Sequence, residues 1–464
     1  MKKRHVLIGA TLLAGTALAA TLTTSSPKSA APDLAVVPGT SDAALAPAAA
    51  PMAGNASFTP MLASAVERMP RDADSSNQAA WWIPLAVYGG ASYFAFDAPD
   101  TATPTQHYVK IGKRDAAGNW TFSILKKADG TTWGPIADDP GHDAPTIAID
   151  GDGYIHVWAD MHNNDWRYFR SAAPGDITDL RQSTDMPGSG SFTYPVAKTA
   201  PNGDVWLFIR NNAKVGELYH WTNSTNLWVK TAVFASSTGA VVYPDDMVFE
   251  SSGAIDIAWE WAYNMPRGLR HYGSFLRYKP STNSWSYIDG TAATIPVSLT
   301  SDPKLFFLPL QAGEVFTAPD TAQGLQSIKI ALDPSSDRPT IAYRYRPTDN
   351  SGDFNFDVWR VRWNGSAWID REKIYTASND VPAGLGLTRS ATLVRLYFAT
   401  LGGGMQRATK TGTTPWTITA LAPGKAIQRI NVTPLNATTD IIYGGAPTDI
   451  DANTGSVYWQ SVAD

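Results

Sequence analysis

Three glycines fifty residues apart constrain this chain more than any other feature. Gly153, Gly203 and Gly253 each close a short polar turn, and each is followed by a run of aromatic and aliphatic residues. The runs are Tyr154-Ile-His-Val-Trp-Ala-Asp160, Asp204-Val-Trp-Leu-Phe-Ile-Arg210 and Ala254-Ile-Asp-Ile-Ala-Trp-Glu260. Upstream of each glycine lies a second strand opened by Pro145, Pro195 or Pro244, and the same hairpin logic recurs at Ser327–Asp333 and Arg338–Arg346. A polar turn followed by tryptophan marks an outer hairpin at Trp120, Trp228, Trp285, Trp368 and Trp416. No long amphipathic stretch with a 3.6-residue period interrupts this pattern. A period near fifty with about four strands per repeat predicts an all-β fold, a β-propeller of four-stranded antiparallel blades. A β-helix would show a much shorter period. The length from Trp81 to Asp464 accommodates seven blades.

Composition agrees and removes other classes. The 464 residues are 44% hydrophobic and 17% charged, enough apolar material for a core, which excludes disorder of the whole chain. Cysteine is absent, so disulfide scaffolds, thiol nucleophiles and cysteine–zinc sites are excluded. The formal net charge of −5 argues against nucleic-acid binding, which needs basic surface to neutralise phosphates. Lys2, Lys3 and Arg4 precede an apolar run from Val6 to Ala20, with Ala17-Leu18-Ala19 as a small-residue cleavage site. This reads as a secretory signal peptide over residues 1–19, too short for a membrane anchor. Residues 20–75, rich in Ala, Pro, Ser and Thr, read as a flexible leader, and residues 76–464 as the propeller. The expected product is a secreted or periplasmic monomer with no membrane segment once the signal is removed.

In a propeller the innermost strand of each blade lines the axis, and residues at equivalent blade positions converge on one mouth. Tyr194 and Tyr243 stand just before repeat prolines; His142 and Asp143 stand just before Ala144-Pro145. Asp160, Arg210 and Glu260 end the second strands, and His162 and Asn163 follow Asp160. Three successive blades therefore present His142, His162, Tyr194, Arg210 and Tyr243 to one face, with His271 at the edge of the third. Of the other histidines, His5 leaves with the signal, His156 lies inside a strand and reads as structural, and His107 and His220 carry no positional signal.

The stretch His142-Asp-Ala-Pro-Thr-Ile-Ala-Ile-Asp-Gly-Asp-Gly-Tyr-Ile-His156, with Met161-His162-Asn163, Trp166–Ser171, Thr193-Tyr194-Pro195 and the strand ending at Arg210, resembles the BNR-type repeat family. That family contains the seven-bladed ulvan lyases and the rhamnose–glucuronate lyases. The twenty-residue step from His142 to His162 and the sixteen-residue step from Tyr194 to Arg210 are similar to the family's spacing of two histidines and a Tyr–Arg pair. The resemblance is clear over residues 135–280 and faint beyond. It implies β-elimination at a uronic acid in an acidic, rhamnose-containing polysaccharide. The proton on C5 is removed, the C4 oxygen leaves, and an unsaturated uronate remains.

That chemistry sets three tasks. A guanidinium can hold the carboxylate as it becomes an enediolate, which assigns Arg210. A base near C5 and an acid near O4 are drawn from His142, His162 and Tyr194, with base and acid left open among them. Tyr194 and His142 are the expected pair for the proton transfers, and His162 orients or also titrates. Tyr243, His271 and Asn163 are expected to contact the sugar. No cofactor is required. Some family members hold structural metal ions, but no metal site is assignable from this sequence. Three readings compete with an ulvan lyase: a rhamnose–glucuronate lyase acting on plant gums, a propeller glycoside hydrolase using Asp160 and Glu260, and a non-catalytic glycan-binding propeller.

Overall fold

The computed structural model describes residues 57–58, 65–73, 82–137, 144–263, 270–309, 324–346, 356–377, 384–400, 404–447 and 455–464. They form seven antiparallel sheets arranged as a seven-bladed propeller. The first four blades open with the inner strands Leu85–Tyr88, Thr146–Ile149, Phe192–Thr199 and Ala240–Phe249, and the last three with Gly324–Leu332, Leu385–Arg389 and Arg429–Asn436. Each inner strand touches the next around the ring, and the last touches the first, so the axis is closed.

The turns joining first to second strands carry the fifty-residue repeat. Gly153, Gly203 and Gly253 all have positive φ, which an L-residue reaches only with strain. At Gly203 the approach is also close: an added Cβ would lie 2.7 Å from the Gly151 Cα of the neighbouring blade. These turns define one face of the propeller. The starts of first strands and the ends of second strands define the other.

The second strands pack on both sides against neighbouring blades, which explains their continuous apolar runs. Ile255–Tyr263 is buried along its whole length. Between the third and fourth blades, Val196, Phe208, Val242, Met247 and Trp259 pack together, and each such side chain contributes about 1.5–3 kcal/mol by leaving water. The predicted tryptophan turns open the fourth strands. Trp120 begins Trp120–Ile124, Trp368 begins Trp368–Tyr375, and Trp228 and Trp285 are second in theirs. Trp416 comes one residue before Thr417–Ala420.

One boundary differs from the sequence reading. Glu67–Ala73, assigned above to the leader, pairs antiparallel with Gly455–Ala463 and supplies the outermost strand of the seventh blade. Met69 and Ala73 are buried in the core between the seventh and first blades. The propeller is thus closed by joining the two ends of the chain in one sheet. Ser57–Phe58 also pairs, in parallel, with Thr417–Ala420 of the sixth blade.

Candidate active site

The face opposite the glycine turns is built by a repeated irregularity. In the third, fourth and fifth blades the pairing of the first two strands slips, between Thr193 and Val196, Pro244 and Asp246, and Gln326 and Lys329. Such bulges kink a strand and re-aim a side chain. In the third blade the bulge holds Tyr194 at φ +59°. For a bulky residue this costs energy and persists only where the surroundings enforce it.

Those surroundings are aromatic and cationic. Tyr194 is fully buried, edge-on to Trp82 at 5.1 Å, tilted against Tyr243 at 5.4 Å and stacked on His162 at 5.7 Å between ring centroids. Arg210 reaches from the adjacent strand, where it lies opposite Thr193. Its Cζ sits 4.6 Å from the Tyr194 ring centroid and 4.6 Å from that of Tyr243. A cation–π contact holds a guanidinium without spending any of its five N–H donors. Arg270 Cζ lies 4.1 Å from the Tyr243 ring centroid, so that ring contacts two guanidiniums. Arg270 in turn pairs with buried Glu260 at 3.5 Å.

His162 opens a three-residue strand, His162–Asn164, that pairs along Phe192–Thr199 at its mouth end. This explains how a histidine carried between the second and third strands of the second blade comes to lie beside a tyrosine of the third blade. The Tyr194 amide donates to Met161 O at 3.2 Å, and the Asn163 amide donates to Thr193 Oγ1 at 2.8 Å. Asn163 is exposed at the rim, and Lys214 Nζ donates to its Oδ1 at 3.4 Å. Burial, and then the Arg210 guanidinium, lower the Lys214 amino group below the ordinary lysine range. With Arg270 paired to Glu260, Arg210 and Lys214 carry the positive charge at the mouth of an acidic protein, an arrangement that attracts anions.

Of the residues read from the sequence, His162, Tyr194, Arg210 and Tyr243 meet here, with Asn163 at the edge. His142 lies outside the described residues. His271 is fully buried, with Nδ1 3.3 Å from the Tyr345 hydroxyl. His156 is structural as expected, held between the Tyr168 hydroxyl at 2.7 Å and Asp150 at 3.2 Å. The two carboxylates considered for hydrolysis are both engaged, Asp160 with His107 at 3.0 Å and Glu260 with Arg270. Arg270 and Lys214 were missed. Lys214 stands in the turn after Arg210, and Arg270 stands just ahead of the strand Gly273–Lys279, so neither falls at a repeated blade position. A cavity of about 690 Å³ along the axis, lined by Val87, Ala148, Lys198, Met247, Lys329 and Asn431, opens toward the glycine turns and includes none of His162, Tyr194, Arg210 or Tyr243.

An ulvan lyase of Pseudoalteromonas sp. (strain PLSV), named as PL25, is 23% identical over 278 residues, 50% of this chain and 52% of the relative. An ulvan lyase of Alteromonas sp. (strain LOR) is 21% identical over 284 residues, 52% of this chain and 55% of the relative. This chain spans about half the length of those two proteins. A solved PL25 ulvan lyase structure superposes over 86% of this chain and 96% of its own, at 15% identity and a TM-score of 0.61. A second structure, of PL25 ulvan lyase bound to -[GlcA(1-4)Rha3S]-, gives 0.60 with the same coverage and identity. That likeness shows the fold. The model of the BNR repeat-containing family matches residues 79–374, more than half of the sequence, and the chain belongs to that family.

Proposed function

We propose that this protein is a polysaccharide lyase that cleaves an acidic polysaccharide of rhamnose and uronic acid, with ulvan as the foremost substrate, by β-elimination. The observation that carries the proposal is the stacked set His162, Tyr194, Arg210 and Tyr243, in which a buried guanidinium is held by two phenol rings. The names of the two curated relatives support the substrate class.

In this reading Arg210 takes the uronate carboxylate and stabilises it as C5 loses its proton. Charge placed in advance where negative charge develops is often the largest catalytic contribution, and more so away from water. Tyr194 and His162, with His142, move the two protons: one from C5, and one to the departing O4. The electron pair of the C5–H bond becomes the C4–C5 double bond, the C4–O bond breaks, and no water is consumed. Lys214 and Asn163 at the rim suit a second anionic or hydroxyl group of the polymer. Hydrolysis is disfavoured, because Asp160 and Glu260 are each committed to a buried cationic or imidazole partner. The basic and apolar N-terminal run supports export to where such polymers are met.

The test is to incubate the purified protein with ulvan and, separately, with a rhamnose–glucuronate gum, following the ultraviolet absorbance of the new double bond. A rise on ulvan that Arg210→Ala abolishes supports the proposal. A rise on the gum alone transfers the substrate to the rhamnose–glucuronate class. New reducing ends with no rise in absorbance would overturn elimination.

A further inference from the structure

Beside the stacked site, but separate from it, lies a buried cluster that the elimination does not use. Asp97 stands near the end of the strand Ala91–Pro99, His107 opens the strand His107–Arg114, and Asp160 follows the strand Ile155–Trp158. The first two belong to the first blade and the third to the second blade. Their exposures are 0%, 2% and 0%. One potential ligand atom from each lies within 4.8 Å of the other two, and His107 Nε2 is 3.0 Å from Asp160 Oδ2.

Two carboxylates and one imidazole stand together here, all away from water. Buried charges of this kind are paired or bound to metal. The second oxygen of Asp160, Oδ1, is buried and has no hydrogen-bond partner among the described residues. Asp160 is also held at φ +49°, a conformation that fixes where its carboxylate points.

We propose that Asp97, His107 and Asp160 form a structural site for a divalent first-row transition ion, zinc foremost. The donor set selects the ion. One imidazole nitrogen with carboxylate oxygens suits zinc, whereas calcium prefers six to eight oxygens. With metal–ligand distances of about 2.0–2.2 Å, ligand atoms of a tetrahedral ion stand roughly 3.3–3.5 Å apart. The His107–Asp160 pair, at 3.0 Å, already stands near this separation. The ion would tie the first blade to the turn that begins at Asp160 and carries His162 to Tyr194. The link continues through Arg167, which donates to Asp160 O at 2.9 Å, and through the Tyr194 amide bond to Met161 O. The three residues act here as positioning residues.

The experiment uses the full chain and does not depend on lyase activity. Zinc is measured by mass spectrometry in the purified protein, and melting temperature is followed after chelation and after adding back zinc, magnesium or calcium. The expected result is about one zinc per chain, a melting temperature that falls on chelation, and recovery with zinc alone. His107→Ala and Asp160→Asn should lose the zinc and the response to chelator. Should these variants fail to fold, cobalt(II) titrated into stripped wild-type protein should give visible absorption bands that Asp97→Asn weakens. The proposal is overturned if stripped wild-type protein binds neither zinc nor cobalt, or if bound zinc is retained in all three variants. His107 would then be a hydrogen-bonded bridge between carboxylates.

Discussion

Removing one oxygen atom from Tyr194 separates its chemistry from its packing. Tyr194→Phe keeps the ring and therefore the contacts with Trp82, His162, Tyr243 and Arg210, at centroid separations of 5.1, 5.7, 5.4 and 4.6 Å. It also leaves the bulge at φ +59° with the same steric demand. The stability cost is then that of one hydroxyl's hydrogen bonding, about 1–1.5 kcal/mol, whereas Tyr194→Ala would hollow out the site at about 3–5 kcal/mol and say little about catalysis. If the hydroxyl moves a proton in the elimination, its loss should lower the rate by about 10²–10⁴-fold. At 1.36 kcal/mol per decade this is roughly 2.7–5.4 kcal/mol of barrier. The assay is the initial rate of double-bond absorbance on ulvan, read beside a melting curve for each variant. A Phe variant that melts within a few degrees of wild type but has lost at least a hundredfold in rate fits the reasoning. A Phe variant within tenfold of wild type, while Arg210→Ala is inactive, would remove Tyr194 from the proton transfers and leave them to the histidines.

Three further outcomes follow from the packing. Gly324→Ala should destabilise by about 2–5 kcal/mol, since φ is +76° and the new Cβ would meet Arg270 O at 2.3 Å; Gly253→Ala, with φ +79° and open space around it, should cost only about 1–2 kcal/mol. Met69→Ala should cost about 2–5 kcal/mol in urea unfolding, because Met69 is fully buried in the closing strand; a neutral result would mean that the N-terminal strand does not close the ring. His156 is buried, and burial holds its imidazole below the ordinary histidine range. The unfolded chain therefore takes up a proton before the folded one does, and stability is lost as pH falls below about 6.5, by roughly 1 kcal/mol over the next unit. Urea midpoints on either side of that pH should converge in His156→Gln, and an unchanged pH slope would refute this account.

What the sequence made legible depends on whether a constraint was local. The turns at Gly153, Gly203 and Gly253 require positive φ at fixed intervals, so the blade repeat could be read directly from the glycines. The convergence of Tyr194, Arg210 and Tyr243 followed, because equivalent positions in successive blades must meet at one mouth. The closing strand was not legible in this way. Glu67-Arg-Met-Pro-Arg-Asp-Ala73 is polar and contains a proline, and taken alone it resembles leader. It becomes a strand because its partner, Gly455–Ala463, lies at the other end of the chain and because Met69 finds a core there.

The same distinction explains the parts of the site that were missed. His107 and Asp97 stand on different strands and meet Asp160 only across a blade boundary, so no spacing in the sequence announces them. Near residue 270 the histidine drew the functional reading, yet in this structure it is the arginine before it that reaches Tyr243 while His271 turns to Tyr345. A second guanidinium, that of Arg270, packs on the Tyr243 ring and is restrained by Glu260, so that the ring Arg210 rests on is itself braced by a buried ion pair.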